Sequence, residues 1–167
     1  NSWEAAKGAN LLFSFVCYPT FVPIRQQFVL SQLISLGIKE TLDEYCSDIS
    51  IKWPNDIYWN KKKLGGILIE NDLMGKQLEC CIIGVGINLN QEQFYSDAPN
   101  PVSVWQITGH STEALTILRK IMQRFVGYYE LIKDGNTLDL VDMYHKSLFR
   151  RVGYHKFRKP GGEEFEA

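Results

Sequence analysis

Residues 49–70 read ISIKWPNDIYWNKKKLGGILIE, and the periodicity of this stretch sets the kind of fold. Ile49, Ile51 and Trp53 alternate with Ser50 and Lys52, the two-residue period of a strand that turns one face to a core and Lys52 to the other. Pro54-Asn55-Asp56 breaks that strand, Ile57 to Trp59 resumes extended structure, and Asn60-Lys61-Lys62 makes a polar turn into Leu64 to Glu70. The reading is a meander of short strands.

Working upstream, Leu11, Phe13, Phe15 and Cys17 fall on one face of a strand, with Leu12, Ser14 and Val16 on the other, until Tyr18-Pro19 ends it. Pro23 suits a first helical position, and Leu30, Leu33, Ile34, Ile38, Leu42 and Tyr45 recur at three- and four-residue steps, which predicts a long amphipathic helix over 24–46. Downstream, turn chemistry occupies Asn71 to Lys76, and Leu78 to Leu89 is a β-rich run predicted to be a central strand. Asn90 to Gly109, with Pro99 and Pro101, is irregular and is read as loop, with a short helix at Val102 to Thr108 as the alternative. Ser111 or Thr112 caps a helix whose apolar stripe, Ala114, Leu118, Ile121, Met122, Phe125, Tyr129 and Ile132, runs to Gly135. Thr137 to Phe149 carries a weaker helical pattern. Then Arg150, Arg151, Lys156, Arg158 and Lys159 form a basic patch before Pro160-Gly161-Gly162, where a domain boundary is expected. This order predicts an α+β fold with a mixed, mostly antiparallel sheet covered by helices on one side.

The 167 residues are 45% hydrophobic and 13% aromatic, with 18 Lys+Arg against 19 Asp+Glu, which describes a soluble globular domain and excludes disorder. A net charge of −1 argues against a partner held mainly through phosphate counterion release, so no nucleic acid is expected. No apolar run approaches the ~20 residues that cross a bilayer. The four cysteines contain no C-x-x-C pair, and the three histidines, His110, His145 and His155, are scattered, so neither a disulfide framework nor a protein-held metal is expected and a cytoplasmic location fits. The chain opens at Asn1 without a methionine and closes in a charged, Gly-rich stretch, which suggests a piece of something longer.

Chemistry concentrates in the opening stretch. Lys52, on the polar face of a strand anchored by isoleucines, is a cation held more firmly than a surface lysine. Lys63 enters the next strand beside Gly65 and Gly66, where missing side chains admit another backbone or a ligand. Together they suit a phosphate or carboxylate anion; the plainer alternative is two solvated strand lysines and a bulge. Gly84-Val85-Gly86-Ile87-Asn88 lacks the third glycine and the following helix of a dinucleotide motif, so it reads either as a kinked core strand or as a flat ligand surface where Asn88 reads an adenine edge. Trp3 is either a core residue or a base-stacking one. Asp56 and Glu70 lie in the same region, in solvated or ion-paired roles or assisting a Mg²⁺-nucleotide or an amine. Hydrolase elbows and P-loops are absent from the sequence.

These ordered motifs, Trp3 with GANLLFS at 8–14, KWPND at 52–56, KLGGILIE at 63–70 and GVGINLN at 84–90, resemble the catalytic domain of the biotin protein ligase family. The resemblance covers nearly the whole chain and implies a fold like that of class II aminoacyl-tRNA synthetases and biotin ligases, with residues 1–150 as catalytic domain and 151–167 as linker and start of a small C-terminal, SH3-like β-barrel. It implies an ATP-dependent ligase using ATP, Mg²⁺ and biotin: biotin's carboxylate attacks the α-phosphate to give biotinyl-5′-AMP and pyrophosphate, and a lysine of a biotin acceptor domain of a biotin-dependent carboxylase then displaces AMP. By resemblance Lys52 is the catalytic lysine on the carboxylate and adenylate phosphate, Lys63, Gly65 and Gly66 handle ATP phosphates, Trp3 and Asn88 hold adenine, and Asp56 assists the acceptor step. The family's Gly/Arg-rich adenylate loop and biotin-ring residues precede the position of Trp3, so residues 1–167 alone are expected to be inactive. Lipoate or octanoate ligases and transferases share the fold and are the alternative, as is a non-catalytic biotin-responsive binding protein. Pairing of sheet edges between subunits would make a homodimer.

Overall fold

The computed structural model describes residues 4–75, 77–95, 99–159 and 161–167. Among them the strands form a five-stranded sheet in the order β1-β5-β4-β3-β2 and a separate two-stranded hairpin, β6-β7. The strands are β1 Leu11–Cys17, β2 Ile49–Lys52, β3 Asp56–Trp59, β4 Lys62–Met74, β5 Gln77–Ile87, β6 Lys156–Arg158 and β7 Glu164–Glu166. The helices are α1 Phe28–Leu42, α2 Val104–Thr108, α3 Ala114–Lys133 and α4 Leu138–Lys146. Every neighbouring pair of strands is antiparallel. Parallel pairing is confined to single bridges, Ile51 with Leu148 and Lys63 with Pro101. The α+β, mostly antiparallel expectation therefore holds.

Helices cover one face of the sheet. The row Ile51, Ile57, Gly65, Ile87 and Leu11 runs across all five strands and is buried, because α1 lies against this side. The opposite row, Lys52, Asp56, Gly66, Gly86 and Leu12, belongs to the uncovered face. α3 and α4 pack on α1 from outside, and Phe125 of α3 meets Phe15 of β1 edge-on with centroids 4.8 Å apart.

Several local expectations are corrected. The helix predicted over 24–46 begins as a 3-10 turn, Ile24–Gln26, capped by Pro23, before α1 proper. It is buried nearly all round rather than amphipathic, since the sheet takes one side and α3 and α4 the other. Its polar residues are satisfied internally: Ser35 donates to the Ser31 carbonyl at 2.6 Å and Thr41 to that of Gly37 at 2.7 Å. Trp53 does not join the isoleucines; β2 stops at Lys52 and the indole is exposed. Asn71 to Met74 is strand rather than turn, because β4 stays paired with β5 as far as Met74. The stretch read as loop over 90–109 contains α2, at the place of the alternative short helix, fixed by a capping box between Ser103 and Gln106. α3 is capped by Glu113 itself, which accepts from the Leu115 and Thr116 amides; the Thr116 hydroxyl also bonds this carboxylate and, with those amides, holds its pKa below the usual range. Among the described residues no helix is long and apolar enough to cross a membrane.

Candidate active site on the open face of the sheet

Lys52, Asp56 and Gly66 occupy one row of Cα partners on three adjacent strands, and the row continues through Gly86 to Leu12. Neighbouring strands lie about 4.8 Å apart, so the row places cation, carboxylate and a glycine floor within one small-molecule span. Lys63 reaches the same face by a specific device. Alternation alone would set it opposite Gly66, three residues away. The register shifts between Ile57 and Tyr58, so that Ile57 faces Gly65 while Tyr58 faces Lys63, leaving Leu64 as the extra residue of a bulge. Lys63 thereby forms an ion pair with Asp56 at 2.6 Å. Its main chain is fixed by the incoming loop, with Lys63 N donating to the Asn100 carbonyl at 2.8 Å and Val102 N to the Lys63 carbonyl at 2.9 Å.

The Lys52 ammonium donates to the Tyr58 hydroxyl at 2.9 Å and stands 4.7 Å from the centre of that ring. It is exposed, leaning along β3 toward Tyr58. The loop beneath it is tied on both sides: Asn55 and Ile67 exchange Nδ2 to O at 2.7 Å and N to O at 2.9 Å, and Ser31 of α1 donates to the Pro54 carbonyl at 3.3 Å.

The two glycines divide their labour. Gly66 lies in the open row, whereas Gly65 lies in the covered one, where an added Cβ would stand 3.0 Å from the Gly86 carbonyl oxygen. Asn88 is 3% exposed, just past β5, with Nδ2 donating to the Val102 carbonyl at 3.1 Å. Its Oδ1 is buried and has no hydrogen-bond partner. An unmet buried acceptor costs about 1–3 kcal/mol and marks a place where an outside donor is welcome. Trp3 lies outside the described residues. Glu70 is exposed, farther along the open face and away from the lysine row. Sequence reasoning missed Tyr58, Asn55 and Gln91; the last, 3% exposed, binds Asn10 Nδ2 at 2.6 Å and Ala6 N at 3.1 Å and so fastens residues 4–10 beside Asn88.

Two fixed cations, a single carboxylate and a side-chain-free floor on an uncovered sheet are equipment for holding an anion at a reacting acyl or phosphoryl centre. The model of the biotin/lipoate A/B protein ligase family matches residues 1–88. The chain belongs to that family. Its relatives include biotin–protein ligase 2 of Arabidopsis thaliana, 27% identical over 153 residues that cover 88% of this chain and 46% of that protein. The bifunctional ligase/repressor BirA of Escherichia coli is 37% identical over 90 residues, 52% of this chain and 27% of that protein. The chain thus spans less than half the length of the curated relatives it matches. In fold it is similar to the biotin protein ligase of Aquifex aeolicus in complex with biotin and ATP, with a TM-score of 0.76 and 24% identity, covering 95% of this chain and 65% of that one. It is also similar in fold to a biotin protein ligase-like protein of unknown function from Silicibacter, with a TM-score of 0.80 and 13% identity, covering 95% of this chain and 70% of that one. The segment is a biotin protein ligase family catalytic domain.

Proposed function

We propose that the protein carrying this domain activates biotin with ATP and transfers it to a lysine of a biotin carboxyl carrier domain. The observation that carries the reading is that Lys52, Asp56 and Gly66 share one row of the open face, with Lys63 turned onto the same face and paired with Asp56. In the first step a biotin carboxylate oxygen bonds to the α-phosphorus and the bond to the pyrophosphate oxygen breaks, giving the acyl-phosphate anhydride. Negative charge accumulates on the α-phosphate oxygens, where the Lys52 ammonium stabilises the transition state more than the ground state. Lys63, held by Asp56, supplies the second cation for the departing phosphates. In the second step the neutral amine of the acceptor lysine attacks the acyl carbon, AMP leaves, and the amine proton is lost; Lys52 again neutralises the leaving phosphate, and Asp56, in line beside it, orients Lys63 and faces the incoming amine.

Asn88, whose buried Oδ1 has no hydrogen-bond partner, is the proposed adenine-reading residue, and Trp3 is the proposed stacking partner. For Mg²⁺ the described residues provide no group of three His, Cys, Asp or Glu able to hold an ion, and Asp56 is engaged by Lys63, so no step is assigned to it. The hairpin β6-β7 with residues 151–167 is proposed as the entrance to a small C-terminal barrel, and the cytoplasm as the compartment of the reaction.

The test is biotin-dependent pyrophosphate release and biotin transfer to an acceptor domain by the full-length protein. Lys52→Ala is expected to lose about 100- to 1,000-fold in both steps, the loss seen when one group stabilising an oxyanion is removed. Near-wild-type rates would remove Lys52 from the mechanism. Release driven by lipoate or octanoate in place of biotin would move the protein to another branch of the family, and binding of biotin without release would make it a binding protein.

A further inference from the structure

One charged feature next to the site is not used by this chemistry. Lys61, Lys146, Arg150, Arg151 and His155 line a single cavity of about 610 Å³. Leu148, Phe149 and Val152 supply the apolar part of its lining. Among the described residues only Lys146 of this set has an ion pair, with Asp142 at 2.5 Å on its own helix. Arg150 is held in place by neutral groups, donating to the Lys156 carbonyl at 2.9 Å with its guanidinium 5.2 Å from the centre of the Phe149 ring, so its charge remains available.

The cavity is joined to the candidate active site by main chain and by ring contact. Ile51 N donates to the Ser147 carbonyl at 2.9 Å and Phe149 N to the Ile51 carbonyl at 2.8 Å, so residues 147–149 run beside β2 one residue from Lys52. The Phe149 ring lies 5.3 Å from that of Tyr58, on which the Lys52 ammonium rests.

The arrangement favours carboxylates spread over a protein surface above a compact phosphate. The cations come from separate elements and are solvent-facing, so they suit several charges spread over a surface better than one compact anion. The apolar lining asks for a side chain as well as charge. On the adjoining hairpin Arg158 is paired with Glu164 at 2.7 Å and Lys159 with Glu163 at 2.9 Å, so two of its three cations are already neutralised and the charge is weaker there than at the cavity.

We propose that this cavity docks an acidic patch of the protein that receives the acyl group, with acceptor carboxylates meeting Lys61, Arg150 and Arg151 and an apolar side chain meeting Leu148 and Phe149. The inference rests on the ligase reading. Charges at the rim of an interface act mainly through encounter rate and salt dependence.

The full-length protein and a Lys61→Glu/Arg151→Glu double variant are compared in three measurements: biotin-dependent pyrophosphate release without acceptor, KM for a carboxylase acceptor domain, and anisotropy-detected binding of an acceptor domain whose target lysine is replaced by alanine. The expected result is unchanged release, with KM and Kd for the acceptor raised about tenfold or more, and acceptor binding that weakens with salt in the wild type but not in the variant. A Lys61→Arg/Arg151→Lys variant should restore wild-type values. Unchanged acceptor KM and Kd overturn the proposal, as does an equal loss in release, which would put the cavity in the nucleotide site. Loss of binding to inorganic pyrophosphate or duplex DNA, with acceptor binding intact, likewise overturns it. A wild type that releases no pyrophosphate with biotin defeats the ligase reading instead, and the anisotropy measurement still judges the docking cavity.

Discussion

At Lys52 the side chain that orients the ammonium comes from the opposite strand of its own hairpin. Tyr58 offers a hydroxyl acceptor and a ring face together, so a side chain with several rotatable bonds is confined before any substrate arrives. Tyr58→Phe keeps the ring, its packing on Phe149 and the cation–π contact but removes the acceptor. The expected outcome is a fall of about three- to tenfold in the adenylation rate with little change in Tm, since a hydrogen bond to a charged group at a solvent-facing site sits at the low end of its range. Equal or faster adenylation would show that the hydroxyl does not position the ammonium. The strand alternation of residues 49–52 already revealed which face Lys52 takes. Tyr58 was not visible there, because its nearness depends on hairpin register, which pairs Ser50 with Tyr58. For Lys63 the residue pattern gave the cation and not its direction: only the bulge at Leu64 turns it to Asp56.

At the scale of elements, β4 and β5 carry the site because their backbones approach closely. Gly65 sits between Ile57 and Ile87 in the buried row, and a methyl group there would meet the Gly86 carbonyl oxygen at 3.0 Å, a backbone atom that moves only with its strand. Gly65→Ala is expected to cost about 1–3 kcal/mol, the usual range for overpacking, read as a lower midpoint in urea. Because the shift spreads through β4 to Gly66 and Lys63, adenylation should fall as well; a variant with unchanged midpoint and rate would show that the two strands have room to part. Periodicity found α3 and the short strands with little error, since each has one wet face. It misjudged α1, whose apolar stripe is only part of a surface buried on every side: Ser31, Gln32 and Ser35 look like a polar face in the sequence and are in fact buried beneath α3, α4 and the sheet. The strand content of Asn71 to Met74 escaped for the converse reason: turn-forming residue types were overridden by pairing with β5.

For the molecule as a whole, the asymmetry of the sheet matters most. One face is sealed by α1 and the layer outside it, while the other carries, besides the lysine row, Leu12 at 54% exposure, Val16 at 50%, Leu68 at 63% and Ile82 at 37%. Val16 and Ile82 are partners in register, Leu68 faces Gly84 and Leu12 faces Gly86, so the four stand on the same face with only glycine backbone opposite Leu68 and Leu12 on the middle strand. Contiguous apolar surface of this kind draws dyes, lipids and other copies of a chain, whereas the same residues scattered singly would not. Residues 1–167 on their own are therefore expected to bind an anilinonaphthalene dye in the folded state and to self-associate as ammonium sulfate is added, because a net charge of −1 gives little repulsion between copies and excluded sulfate strengthens apolar burial. Replacing Leu12 and Leu68 together by Asn should abolish most dye binding and shift the association to higher concentration. It should do so at a cost within about 0.5 kcal/mol per substitution, since neither side chain belongs to the buried core. Dye fluorescence that is unchanged in the double variant, or that appears only above the melting temperature, would place the sticky surface elsewhere and leave the open face of the sheet as ordinary wet protein.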